Sequence, residues 1–265
     1  MITLFFLLLG LIIGSFLNVV VCRLKENETV LGRSICRSCH RQIRWYDNIP
    51  LLSFLLLGGK CRDCQAPISA QYPLLEALTG LGFATVGSIF FDITRPETWV
   101  QTGWLLGLVA LFLALSAYDL QYMEIPVLLL VLSALWTGLF LVIISYQSGS
   151  VPNWGWHTPL VQGLYGGGIV ALFFFALVYF SKETWMGWGD VWLGGIAGMI
   201  VGIQASLFML TLSFGIGAVC GISMMVLGKK GMKSQIPFAP YLVAGTLLTV
   251  FLSRVFPQYI SWFLL

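Results

Sequence analysis

A 265-residue chain that is 58% hydrophobic and only 9% charged, with a mean hydropathy of +0.90, excludes an ordinary water-soluble domain. Such a domain carries about 25% charged residues. The net charge of +3 is small, and its distribution along the chain follows membrane topology, so nucleic acid is not an expected partner.

A helix needs roughly 20 apolar residues to cross the hydrocarbon core. The sequence predicts about eight such spans, at 2–22, 72–91, 99–118, 125–145, 159–180, 189–203, 205–227 and 238–256. The sixth is short and Gly-rich. The expected class is therefore an all-α, polytopic membrane helix bundle. The first span has no preceding positive charge and no small-residue cleavage site, and Arg23 and Lys25 follow it. It reads as a retained helix, not a signal peptide, with its N-terminus outside. With eight alternating spans, the inner segments hold Arg23, Lys25, Arg33, Arg37, Arg41, Arg44, Lys60, Arg62, Lys182, Lys229, Lys230 and Lys233, and the outer ones only Arg95 and Arg254. That asymmetry sets the orientation by the positive-inside rule, and a basic inner face favours anionic lipid.

Residues 23–71 form one polar insertion on the inner, cytosolic side. It carries "CRSC" (36–39) and "CRDC" (61–64), a C-x2-C-x21-C-x2-C pattern. Paired Cys-x-x-Cys turns present four thiolates, the tetrahedral set that zinc takes. The competing reading is a pair of disulfides, which a reducing compartment disfavours. Cys36, Cys39, Cys61 and Cys64 are thus candidate ligands of a structural Zn²⁺ that staples a domain too small to hold itself together. Arg37 and Arg62 sit between the paired cysteines, where they offset thiolate charge, and His40 abuts Cys39. "IPLLSFLLLGG" (49–59) is too short to span; it lies on the membrane or packs on the bundle, with Gly58–Gly59 turning into the second knuckle. No sequence repeat is evident. Cys22 and Cys220 read as packing residues, and His157 as incidental in an outer loop.

Past the second span and its outer loop (72–98), residues 99–265 hold the acids of interest. Asp119 stands at the inner end of the third span, in "ALSAYDLQYMEIP". Asp190 begins the sixth, in "MGWGD" (186–190). Two carboxylates thus reach the same membrane depth, where ionisable groups are costly and face a cavity or a partner. Close carboxylates share a proton, the equipment of aspartic proteolysis: one activates water, the other protonates. Gly187 and Gly189, lacking β-carbons, let the backbone turn and a substrate strand approach. The bland alternatives are an N-cap for Asp190 and a helix end for Asp119. Small residues in "GLYGGG" (163–168) and "GGIAG" (194–198) fit close helix packing in lipid.

"GWGD" (187–190) resembles the Gly-x-Gly-Asp signature of intramembrane aspartyl proteases. With "GSFLNVVVCR" (14–23), the two knuckles, "ISAQYPLLEALTG" (68–80), Asp119 in "DLQYMEIP" and "PFAPYL" (237–242), the chain resembles the prepilin peptidases, the type IV leader peptidases of pilus and type II secretion systems. The resemblance implies a multi-pass protein of the bacterial inner membrane. It implies that Asp119 and Asp190 cut the short basic leader from prepilins or pseudopilins at the cytosolic face, before a Phe-like residue. It also implies N-methylation of the new terminus with S-adenosylmethionine. Two positions depart from the family pattern: Val127 replaces an acid, and Trp192 a lysine two residues beyond the second aspartate. No glycine-rich nucleotide fingerprint supports methyl transfer. Glu76 is the acid best placed to hold an amine or the cofactor, or else an acid of a first helical turn. Asn18 and Arg23 belong to the matched first motif, although packing and snorkelling explain them as well.

Competing functions are a proton-coupled carrier using the same two aspartates and an inactive, zinc-stapled pilus-assembly scaffold. For the peptidase, the helix dipoles predict an ionised Asp190 at the start of its span and a protonated Asp119 at the end of its own.

Overall fold

The structure is a computed structural model that describes residues 1–26, 28–149, 156, 158–227 and 236–256. It is helical: α1 (Ile2–Glu26), a short α2 (Leu52–Leu56), α3 (Gln71–Ile89), α4 (Glu97–Tyr122), α5 (Val127–Gln147), α6 (Pro159–Ser181), α7 (Trp188–Val226) and α8 (Ala239–Val255). Among the described residues, extended pairing is confined to two isolated antiparallel bridges, Ile35–Gln42 and Lys60–Pro67. Five helices among the described residues, α1, α4, α5, α6 and α7, are long and apolar enough to cross a membrane, and α8 is a shorter apolar helix. The chain divides into two compact units, Met1–Ala117 and Tyr118–Leu265.

In the first unit α1 and α3 cross at small residues. A β-carbon on Gly14 would lie 2.7 Å from the Glu76 Cα, and one on Gly10 would lie 2.6 Å from the Thr79 carbonyl oxygen. Lipid tails are as apolar as leucine, so helices associate there through such close packing. Asn18, buried in the same seam, donates to the Gly14 and Tyr72 carbonyls at 3.3 and 3.1 Å.

In the second unit the predicted small-residue motifs meet. A β-carbon on Gly166 of α6 would stand 2.6 Å from the Gly198 carbonyl oxygen of α7. Helix α7 covers both the sixth and seventh predicted spans, and it is not straight. Gly202 has φ 71° and ψ 172°, a backbone conformation essentially reserved for glycine. Positions 194 and 214 would lie about 30 Å apart along a straight helix. Yet Phe174 of α6 packs on Gly194 and stacks on Phe214, ring centroids 6.2 Å apart. The chain therefore folds back at Gly202, and α7 is a helical hairpin. Counting its two arms separately, the described residues hold eight helical segments besides the short α2, one for each apolar run read from the sequence, whereas length and hydropathy mark five helices as candidate spans. Phe238, ahead of α8, completes the aromatic cluster at 5.8 Å from Phe174 and 5.0 Å from Phe214.

Candidate active site and metal centre

Asp119 and Asp190 both belong to the second unit and both are buried, 6% and 8% exposed. They lie close enough for the Asp190 charge to act on Asp119. Each is held by one backbone N–H. Gly187, the N-cap of α7, donates to Asp190 Oδ2 at 3.2 Å, and Ala239, the first residue of α8, donates to Asp119 Oδ2 at 3.1 Å. The first contact is half of a capping box, in which the residue three positions on reaches back to the cap. The second is long-range, and nothing in the local sequence announces it. Both bonds engage Oδ2 and leave the Oδ1 atoms for a water or a shared proton. The bond to Ala239 also changes the electrostatic balance predicted from the sequence. Asp119 sits near the C-terminal end of α4 but receives an N–H from the N-terminal end of α8, so helix dipoles no longer separate the two acids.

The two glycines of the turn differ in what they do. Gly187 is extended (φ −94°, ψ 166°), a conformation open to any residue, and a β-carbon there would meet nothing within 4 Å. A β-carbon on Gly189 would stand 2.9 Å from the Ile125 Cβ. Gly189 therefore lets the Met123–Pro126 loop, which follows Asp119, close onto the Asp190 turn. Trp188 donates to Glu183 Oε1 at 2.6 Å and packs on Phe175, which braces the turn from the other side.

In the insertion, all four cysteine sulfurs lie within 4.8 Å of one another, and none is in a disulfide. Thiolates about 2.3 Å from a central ion stand about 3.8 Å apart at tetrahedral angles. Cys36 and Cys64 sulfurs are 3.8 Å apart, the tetrahedral spacing, and with all four sulfurs within 4.8 Å the donor set suits a zinc-sized ion. The Cys39 backbone N–H, pointing at the Cys36 sulfur, lowers that thiol to about 7, whereas burial and hydrogen bonds to the other three sulfurs push Cys64 up to about 11, so the four thiols share their protons as a group.

The knuckles prove to be a structural repeat. Arg41 and Ala66 carbonyls accept from the Cys36 and Cys61 N–H groups at 2.9 Å, and His40 and Gln65 take the same positive φ, 55° and 58°. The alignment of "ICRSCHRQI" (35–43) with "KCRDCQAPI" (60–68) carries it; the sequence reading missed it because only the cysteines, Arg and final Ile recur. His40 is thus a turn residue. The arginines between the cysteines are stitches: Arg37 pairs with Glu26 at 3.2 Å, and Arg62 forks onto Asp47 with contacts of 2.7–3.1 Å. The hydrogen bond from Arg62 holds the Asp47 carboxyl below its ordinary range. Gly58 and Gly59 have φ of 60° and 69°, as a turn into the second knuckle requires.

Arg23 does more than snorkel. Its guanidinium gathers the carbonyls of Thr29, Val30, Leu31 and Arg33 at 2.8–3.2 Å and shapes the entry to the insertion. Glu76 lies in the second turn of α3, so the first-turn reading does not hold. Its buried carboxylate accepts the Leu51 N–H at 2.8 Å and a hydrogen bond from Ser15. Cys22 sulfur contacts the Tyr72 hydroxyl at 3.4 Å, as a packing residue would. Val127 and Trp192 are 72% and 67% exposed. Trp192, two residues past Asp190, stands on a different face of α7 from the carboxylate. His157 lies outside the described residues.

The chain matches the bacterial peptidase A24 N-terminal domain over residues 8–90 and the type IV leader peptidase family over residues 106–222. It is 35% identical to the "Type 4 prepilin-like proteins leader peptide-processing enzyme" of Escherichia coli O78:H11 (strain H10407 / ETEC), over 93% of this chain and 93% of that one. This chain belongs to the type IV leader peptidase family. The peptidase is also similar to proteins named "Prepilin leader peptidase/N-methyltransferase". That of Aeromonas salmonicida (strain A449) is 33% identical over 96% of this chain and 92% of its own length. That of Pseudomonas aeruginosa is 32% identical over 97% and 92%. No solved structure matches the chain. The family model at 106–222 covers both aspartates, and the one at 8–90 covers the insertion and Glu76. Membership makes the peptidase an enzyme and sets aside the carrier and scaffold readings.

Proposed function

We propose that the peptidase cleaves the leader from prepilins or pseudopilins, with Asp119 and Asp190 as the catalytic pair. The observation that carries this reading is the pair itself: two buried carboxylates within electrostatic reach, each accepting a backbone N–H through Oδ2. In the cleavage step the ionised acid takes a proton from water while the water oxygen attacks the scissile carbonyl carbon. The protonated acid hydrogen-bonds the carbonyl oxygen, stabilising the tetrahedral intermediate. As the C–N bond breaks, a proton passes from the pair to the leaving amine. The protons belong to the pair as a unit. The open space at Gly187 favours a substrate strand passing beside the Asp190 turn.

The basic asymmetry supports a bacterial inner-membrane protein with its N-terminus outside and its insertion and acids at the cytosolic face. Cys36, Cys39, Cys61 and Cys64 are suited to hold one Zn²⁺, whose contribution would be structural, a cross-link for the two knuckles. The names of the relatives favour a second activity, methylation of the new N-terminus from S-adenosylmethionine. In the described arrangement Glu76 is committed to Leu51 and Ser15, which favours an anchoring role over a direct hold on that donor.

The deciding experiment is cleavage of a prepilin peptide bearing its leader by purified protein in lipid. Turnover by the wild type, lost in Asp119→Asn and in Asp190→Asn, is expected. Substantial turnover by either variant overturns the assignment.

A further inference from the structure

The segment between the knuckles takes no part in the cleavage scheme, yet its surface is strongly apolar. Leu52, Leu55 and Leu56 stand at i, i+3 and i+4 of α2, on one face, and are 49%, 73% and 76% exposed. The other face is used internally: Ser53 donates to the Ile49 carbonyl at 2.6 Å, and the Phe54 ring lies beneath Gly59. The rim is cationic and aromatic, with Arg44, Lys60 and a 76% exposed Trp45. Three leucines rimmed by cations and an indole match the boundary between anionic headgroups and acyl chains.

A second, independent feature says where this face points. Leu51 is the centre of a γ-turn with φ 59° and ψ −47°, closed by the Leu52 N–H to the Pro50 carbonyl at 2.6 Å. That hand of γ-turn is rare and strained, and strain persists only where the surroundings enforce it. Here Glu76 enforces it, by accepting the Leu51 N–H at 2.8 Å. Glu76 lies five residues into α3, about 7.5 Å along the axis from the helix start. The loop is thus drawn down beside α3, which packs along the membrane-length helix α1, and lies below the level at which α3 begins.

We propose that residues 49–57 form a lipid-immersed loop, with Leu52, Leu55 and Leu56 in the headgroup–acyl boundary and Glu76 as the anchor that holds them there. The inference stands apart from the cleavage reading, since neither aspartate enters it. The partner is the bilayer itself, with anionic headgroups at Arg44 and Lys60.

The test places a genetically encoded nitroxide at Leu56 of the full chain in phosphatidylethanolamine–phosphatidylglycerol nanodiscs. Relaxation by lipid-soluble oxygen should exceed relaxation by a water-soluble nickel chelate, whereas the same label at exposed Gln42 serves as the aqueous reference. A label at Leu56 that responds mainly to nickel overturns the proposal, because the loop is then in water. A label shielded from both also overturns it, because protein then covers the face. Glu76→Gln keeps an acceptor and should leave the oxygen-dominated response intact; Glu76→Leu should shift it toward nickel, with zinc content reporting that the insertion remains folded. An unchanged response in Glu76→Leu removes Glu76 as the anchor.

Discussion

Asp119 and Asp190, the proposed catalytic pair, each take an N–H from the start of a helix, Asp190 from Gly187 at α7 and Asp119 from Ala239 at α8. Replacing either with Asn keeps an oxygen acceptor for that N–H but removes the proton chemistry. Each variant should remain folded and inserted, while cleavage falls at least about a hundredfold, the low end of what a positioned acid or base supplies. A leader-cleavage assay beside a thermal melt checks both halves. The turn glycines permit a sharper distinction. Gly189→Ala drives a β-carbon into the branched carbon of Ile125, so the melt should drop by an amount equivalent to about 1–3 kcal/mol, as overpacking does. Gly187→Ala meets nothing, so stability should hold, and any loss of activity then reports substrate passing the turn. Asp119, Asp190 and the Gly-x-Gly-Asp turn are legible in the sequence because each is a polar or small residue at an apolar boundary. The Ala239 contact is not, because a backbone donor 120 positions away leaves no trace in side-chain chemistry.

At the scale of elements, the α7 hairpin and the cysteine knuckles each hinge on a few residues. Gly202 occupies a conformation that costs an L-residue about 1–3 kcal/mol. Gly202→Ala should destabilise the second unit by that order, whereas the same change at Gly168, whose β-carbon would meet nothing within 4 Å, should cost little. Denaturation in mild detergent compares the two. The insertion has little core, so its order should depend on the metal. Metal analysis should find about one zinc per chain, in keeping with a single four-thiolate site. Chelation should raise hydrogen exchange across 34–68 while the long helices stay protected. Retained protection after complete zinc removal would show that the Arg62–Asp47 and Arg37–Glu26 stitches suffice alone.

At the scale of the whole molecule, the eight spans predicted from the sequence and the distribution of charge make a single topological prediction. A reporter active only in the cytosol should work when inserted around position 230 and fail around position 150; the reverse pattern would invert the chain and move Asp119 and Asp190 to the other face. The two sites carry no assigned side-chain role, so the reporters leave the acids and cysteines intact.

By itself the sequence determined the membrane class, the apolar runs that become helices, the four-cysteine set and the two candidate aspartates. Hydrophobic run length, Cys-x-x-Cys spacing and charges at apolar boundaries are local quantities, read within a few residues. The tertiary structure decided which partners those residues meet. It turned α7 back at Gly202, placed the α8 N-terminus against Asp119, and set Glu76 under the Leu51 turn. It also gave Gly189 and Gly187 different tasks within one motif. Each of these depends on a close approach or a backbone hydrogen bond between segments distant in the chain or on a single residue's dihedral angles, and neither leaves a periodic pattern in composition for a sequence to display.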